Sequence, residues 1–242
     1  MRRGVFVAPF GELFDPRVLG ELAARAEGRG WDGFFVWDHV RYSPPTLPVA
    51  DPWVALTAVA LATQRLTLGP LVTPVSRRRP HKLARETITL DRLSGGRLVL
   101  GVGLGSDNHG EFEDFGEVSE PRERARLLDD GLERLAEHWG DFAPGPVRGP
   151  RIPVWVAARY PNRRPLRRAV RWDGLFPIDL EAPEQLAELA AEVPGPPFDL
   201  VVTNPAGTDP QPWADAGATW CLTGFGSQPA RAEVEAAIDA GP

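Results

Sequence analysis

Along this chain, short β-branched or aliphatic runs alternate with longer segments of helical period, and the alternation repeats eight times. The runs cover residues 4–9, 33–37, 66–72, 97–103, 152–158, 173–178, 198–203 and 218–223. Near-continuous apolar character, as in Leu98-Val99-Leu100-Gly101-Val102, suits a parallel strand buried on both faces. Between the runs lie helical segments at 16–29, 51–63, 80–93, 121–139, 165–171, 183–192, 212–216 and 228–240. Several open on proline, whose missing N–H has no partner to lose in the first helical turn. In the first segment Leu19, Leu22, Ala23 and Ala26 recur at spacings of three and four, leaving Arg25, Glu27 and Arg29 to solvent, as in a helix covering a sheet. Strict alternation with eight strands predicts a closed (β/α)8 TIM barrel, rather than an open doubly wound sheet, as one compact domain over residues 1–242 with short late loops.

Composition excludes several function classes. The formal net charge of −6 argues against nucleic acid as the main partner. No apolar run approaches the roughly 20 residues that span a bilayer. The start, Met1-Arg2-Arg3 followed by a strand pattern, lacks the apolar stretch and cleavage site of a signal peptide, so a cytoplasmic location is expected. A single cysteine, Cys221, leaves no internal disulfide and no CxxC pair, and it reads as a small apolar core residue. Lys82 is the only lysine, which leaves Schiff-base chemistry one side chain to rest on. His39, His81, His109 and His138 show neither HxH nor HExxH spacing, so no metal site is expected.

In a (β/α)8 barrel the chemistry sits at the carboxyl ends of the strands. Asp38-His39 brings an ionisable pair to the second strand end, and an imidazole beside a carboxylate can shuttle a proton near neutral pH. The same pair also fits a turn capped by Asp38, with His39 a hydrogen-bonded loop residue. Gly101-Val102-Gly103-Leu104-Gly105 lacks the GxGxxG spacing of a dinucleotide site; it suits either close approach to a ligand or crowding between barrel strands. After the fifth strand, Arg159-Tyr160-Pro161-Asn162 leads into a segment with Arg163, Arg164, Arg167 and Arg168, which suits either a phosphate or a solvated basic face. Arg77-Arg78-Arg79, with His81 and Lys82, reads as a solvated basic run. Trp31, Trp37, Trp155 and Trp172 read as packing residues rather than a stacking platform.

Taken together, Leu93-Ser94-Gly95-Gly96-Arg97 running into Leu98–Gly105, then Glu111-Phe112 and Phe115-Gly116, resembles the luciferase-like monooxygenase family. Supporting stretches are Gly28-Arg29-Gly30-Trp31-Asp32-Gly33 before Trp37-Asp38-His39-Val40, Gly69-Pro70-Leu71-Val72-Thr73-Pro74, and Ile152-Pro153-Val154-Trp155-Val156-Ala157-Ala158. The resemblance implies a barrel that uses reduced FMN with oxygen, or the 8-hydroxy-5-deazaflavin coenzyme F420 for hydride transfer, on a small organic substrate. It implies that Asp38 and His39 face the ring, with His39 as catalytic proton relay oriented by Asp38. Pro70, Leu71, Val72 and Thr73 would back the ring beside Gly103, with a non-prolyl cis peptide at Leu71–Val72. Ala158, Arg159, Tyr160 and Pro161 would meet the cofactor phosphate. A homodimer is also implied. Ser106 stands where some deazaflavin enzymes carry a glutamate proton donor, and Arg159-Tyr160 replaces a glycine-rich turn. Two rivals follow: a cofactor-binding barrel that has lost catalysis, and a phosphosugar isomerase with Asp179 as base.

Overall fold

A computed structural model describes residues 1–42 and 47–242. Among these residues, nine parallel strands form a sheet in the order β3-β2-β1-β9-β8-β7-β6-β5-β4. The strands are β1 (Arg2–Val7), β2 (Gly33–Val36), β3 (Thr67–Pro70), β4 (Thr73–Pro74), β5 (Leu100–Gly103), β6 (Val154–Arg159), β7 (Gly174–Ile178), β8 (Asp199–Pro205) and β9 (Trp220–Gly224). β3 and β4 are two halves of one barrel strand, the third apolar run, parted at a cis peptide between Leu71 and Val72. β3 pairs with β2, while β4 pairs with β5 through Thr73 with Val102 and Pro74 with Gly103. A parallel bridge from Leu68 to Leu98, with Val99 N–H donating to the Leu68 carbonyl at 2.9 Å, joins the two edges. The expected (β/α)8 barrel is therefore the fold, with the third run reaching two residues beyond Val72.

The helices are α1 (Pro16–Gly28), α2 (Pro52–Ala62), α3 (Pro80–Leu93), α4 (Pro121–Asp141), α5 (Arg164–Ala169), α6 (Pro183–Ala190), α7 (Gln211–Asp215) and α8 (Arg231–Ala240). Proline occupies the first or second position of all of them except α8. Local side chains satisfy the first amides: Asp15 accepts from Arg17 N–H, Asp51 from Trp53 and Val54, and Glu120 from Glu123. None of the described helices is long and apolar enough to cross a membrane.

Two apolar layers result. An outer layer lies between strands and helices, and an inner one fills the barrel with Phe6, Phe35, Leu71, Val99, Trp155, Phe176, Val201, Trp220 and Leu222. Phe35, Trp155 and Trp220 pack with ring centroids 5.3–5.7 Å apart and close the amino-terminal end. Cys221 lies buried in a small outer cluster with Leu186 and Val202, and burial pushes its thiol up. Glycine is required where the third strand meets β5. A Cβ at Gly69 would lie 1.9 Å from the Val99 carbonyl oxygen, and one at Gly101 would lie 2.4 Å from that of Pro70. Gly101 therefore answers to strand crowding, whereas Gly103 and Gly105 reach the cavity described below.

Candidate active site

At the carboxyl end of the barrel a cavity of about 550 Å³ opens between β2, β4, β5, β6 and β7. Phe6, Trp37, Leu71, Val72, Ala157 and Phe176 give it apolar walls, and Asp38, His39, Ser106, Glu111, Arg159, Asn162 and Thr203 are its polar positions. Trp37 thus lines the cavity instead of lying in packing alone.

Asp38 and His39 leave β2 in succession, and their side chains engage different partners. The Asp38 carboxylate, 3% exposed, accepts from Thr73 Oγ1 at 2.7 Å, from Arg77 Nη2 at 3.0 Å and from Arg78 Nη2 at 2.9 Å. His39 Nδ1 lies 2.6 Å from Glu111 Oε2. The structure thus sets Glu111, not Asp38, against the His39 imidazole. Arg77 ties the two halves together: its guanidinium, 5% exposed, reaches Asp38 and also Glu111 Oε1 at 3.2 Å. The basic run is accordingly turned inward at Arg77 and Arg78 instead of solvated.

Glu111 is 1% exposed. Burial pushes its carboxyl up, but hydrogen bonds from His39 and from Val40 N–H, with the charge of Arg77, outweigh that and hold it below the ordinary range. An ionised Glu111 can only accept, so the hydrogen bond at His39 Nδ1 requires the tautomer protonated there and leaves Nε2 facing away from Glu111. The loop that delivers Glu111 is pinned at both ends. Arg124 donates to the Leu104 and Gly105 carbonyls at 3.2 Å, and Asp107 accepts from Phe112 N–H at 2.8 Å. Phe10, Trp37 and Tyr42 surround the imidazole, with ring centroids 5.4–5.8 Å away.

The other expected site residues divide. Leu71, Val72, Gly103 and Arg159 line the cavity with Asp38 and His39; Pro70, Thr73, Ala158, Tyr160 and Pro161 do not. Thr73 instead supports Asp38, and Ala158 packs in the outer layer. Tyr160 donates its hydroxyl to Glu188 at 2.9 Å. Arg159 is 70% exposed at the rim and pairs with Asp179. The arginines that follow are engaged away from the cavity, Arg163 pairing with Glu192 and the largely buried Arg168 with Asp129. Only Arg159 and Asn162 of that loop face the cavity.

These residues suit a flat tricyclic ring with a charged tail. Leu71, Val72 and Phe176 offer apolar surface, while Arg159, Asn162 and Ser106 offer hydrogen-bond donors at the edge, where a phosphate would remain partly hydrated. No group of three or more His, Cys, Asp or Glu suited to a metal ion occurs among the described residues.

Comparison with known proteins agrees with this architecture. Residues 1–195 match the family model described as luciferase-like monooxygenase. The F420-dependent glucose-6-phosphate dehydrogenase of Nakamurella multipartita is 36% identical over 138 residues, 53% of this chain and 38% of that protein. The enzyme of the same name from Mycolicibacterium fortuitum is 38% identical over 133 residues, 53% of this chain and 39% of the other. The match thus spans well under half the length of these relatives. Among solved structures, an F420-dependent secondary alcohol dehydrogenase in complex with an F420-acetone adduct superposes with a TM-score of 0.78 at 19% identity, covering 98% of this chain and 96% of that one. The oxygenating constituent of 3,6-diketocamphane monooxygenase from Pseudomonas putida, in complex with FMN, gives 0.68 at 18% identity over 86% of this chain and 69% of its own. Such likenesses speak to fold. With the family match covering most of its length, this chain belongs to the luciferase-like monooxygenase family.

Proposed function

We propose that this chain is an oxidoreductase that holds reduced FMN or the deazaflavin F420 at the barrel mouth and acts on a small organic substrate. The observation that carries the proposal is the His39–Glu111 pair, 2.6 Å apart with the carboxylate buried, opening onto an apolar slot walled by Leu71, Val72 and Phe176. When bound, the cofactor supplies a hydride or, as FMN, the electrons that activate oxygen. The chain supplies the rest. Leu71 and Val72 press on the ring and exclude water, and Gly103 allows its close approach. His39 Nε2 gives or takes the proton while Glu111 holds the tautomer. Asp38, clamped by Thr73, Arg77 and Arg78, fixes the strand end from which His39 projects and lies along the cofactor wall. Arg159, released from Asp179, meets the phosphate together with Asn162.

Ala158, Tyr160 and Pro161 enter this reading as the backbone that carries Arg159, and Pro70 and Thr73 as the frame of Leu71 and Val72. The isomerase rival loses its base, since Asp179 is half exposed and does not line the cavity. A homodimer and a cytoplasmic location belong to the same reading; sedimentation of the purified chain tests the first.

The deciding experiment titrates purified protein separately with FMN and F420 by fluorescence quenching and repeats this with Asp38→Ala and Arg159→Ala. Tight binding of either cofactor, weakened by both changes, is the expected result. Preference for F420 assigns oxygen-independent hydride transfer, and preference for FMN assigns oxygen activation. Binding of neither overturns the proposal.

A further inference from the structure

The mouth of the barrel has a second chamber. Thr203, Phe6 and Trp37 line the main cavity on one side and, on the other, a space of about 460 Å³ reaching the ends of β8 and β9. Its walls come from Pro205, Ala206, Gly224, Phe225 and Gly226, and Glu233 in the first turn of α8 completes it. Three features of its chemistry are distinctive.

Charge comes first. Among the described residues no arginine, lysine or histidine lines the second chamber, and its one ionisable side chain is Glu233. The arginine facing the main cavity, Arg159, sits on its β6 side and already holds a carboxylate. A phosphate placed in the β8–β9 chamber would meet the carboxylate of Glu233 and no cationic side chain, so the side chains there favour neutral or cationic groups over anions.

Polarity comes next. Asn204 is occupied, because its Oδ1 accepts from Trp213 Nε1 and its Nδ2 donates to the Thr208 carbonyl. The exposed hydroxyl of Thr203, which faces both spaces, remains as a neutral handle for a carbonyl or hydroxyl. The rest of the surface is aromatic and aliphatic, and aromatic faces beside a carboxylate favour an ammonium group.

Space comes third. A Cβ built at Gly224 or Gly226 meets nothing within 4 Å, so these glycines leave volume where most of the barrel's inner glycines are crowded.

We infer that the β8–β9 chamber is the substrate subsite and that it takes a mainly apolar molecule that is neutral or amine-bearing, excluding phosphorylated sugars. This rests on the proposed cofactor reading, which fills the other chamber. It also separates this chain from the relatives named for glucose-6-phosphate, with which it shares only part of its length.

The test is a charge series on one molecular body. Cyclohexanol, cyclohexylamine and cyclohexyl phosphate, with glucose 6-phosphate as a fourth probe, are titrated by ligand-observed NMR into the purified chain, with and without FMN or F420. Cofactor binding is followed separately by fluorescence. The expected order is cyclohexylamine tightest, cyclohexanol next, and both phosphates weaker by about tenfold or more. Glu233→Lys, an exposed change that leaves the barrel intact, should invert the order of amine and phosphate. Gly224→Leu should weaken all the cyclohexyl probes at least tenfold and leave the cofactor titration unchanged. Tightest binding by either phosphate, an order unmoved by Glu233→Lys, or no binding by any probe overturns the inference. Failure of FMN and F420 to bind while the charge order holds removes the cofactor reading, and with it the chamber's role as substrate subsite, but leaves its preference for neutral and amine groups.

Discussion

The two flanks of the barrel mouth are built on opposite principles. On the flank of β2, β4 and β5, two nearly inaccessible carboxylates, Asp38 and Glu111, share the guanidinium of Arg77, and Arg78 closes the network. On the flank of β8 and β9 there is one carboxylate, Glu233, with apolar surface and glycines that touch nothing. Charges taken from water need partners held in fixed geometry, so the first flank is rigid and intolerant of change. The second carries no such debt and is free to vary with substrate. In the proposed reading, the chemistry falls to the first flank and substrate recognition to the second.

Removing Arg77 should break the comparison hardest. Arg77→Met leaves Asp38 with Arg78 alone and Glu111 without its buried cation. The loss of one partner from a buried ionic network costs about 3–5 kcal/mol. Denaturant unfolding should record a loss of that order, whereas Glu233→Ala, at an exposed position on the β8–β9 flank, should leave the unfolding midpoint in place. Equal effects would mean that the two sides are not differently built. Next comes His39→Ala, expected to lower turnover by about 100-fold or more, the usual contribution of a positioned acid–base group. Cofactor affinity should change only a few-fold, and unchanged turnover would remove His39 from the chemistry.

A pair of glycine substitutions sharpens the contrast at a smaller scale. At Gly101 a methyl group would meet the Pro70 carbonyl oxygen at 2.4 Å and Leu71 Cδ2 at 2.3 Å, so Gly101→Ala should cost about 1–3 kcal/mol through overpacking. At Gly224 the same change enters open space, and its thermal midpoint should match wild type.

The barrel was legible because burying a parallel sheet on both faces writes continuous apolar runs into the sequence, and proline marks where the helices begin. The cis peptide at Leu71–Val72 followed from the family likeness, whereas the division of the third run into two short strands was not read from the sequence. The site was legible only in part. His39 stands at a strand end, where chemistry is expected, but its partner lies 72 positions away in a loop. Nothing local distinguishes Glu111 from its exposed neighbours Glu113 and Asp114. Its one signal was the Glu111-Phe112 landmark, whose phenylalanine is fully buried and takes the glutamate inward with it. Arg77 and Arg78 misled for the opposite reason: a basic run signals solvent, and only the fold shows that two buried carboxylates need its charge.

The smallest effect, and the most specific, concerns acid. Because partners hold the Glu111 carboxyl below its ordinary value of 4.5 in the folded chain, the unfolded chain takes up its proton first as pH falls. The stabilisation is complete above that ordinary value and is lost as pH drops through the lower folded value. Glu111→Gln removes this titration. The variant starts less stable at pH 7, since Arg77 and His39 lose their anion, but its thermal midpoint should decline less steeply than wild type between about pH 5 and pH 3. Gly224→Ala, on the flank without buried charge, should follow the wild-type curve throughout. Parallel slopes for wild type and Glu111→Gln would show that the carboxylate is not held ionised by its partners, and with that the reason for treating the two flanks differently would go.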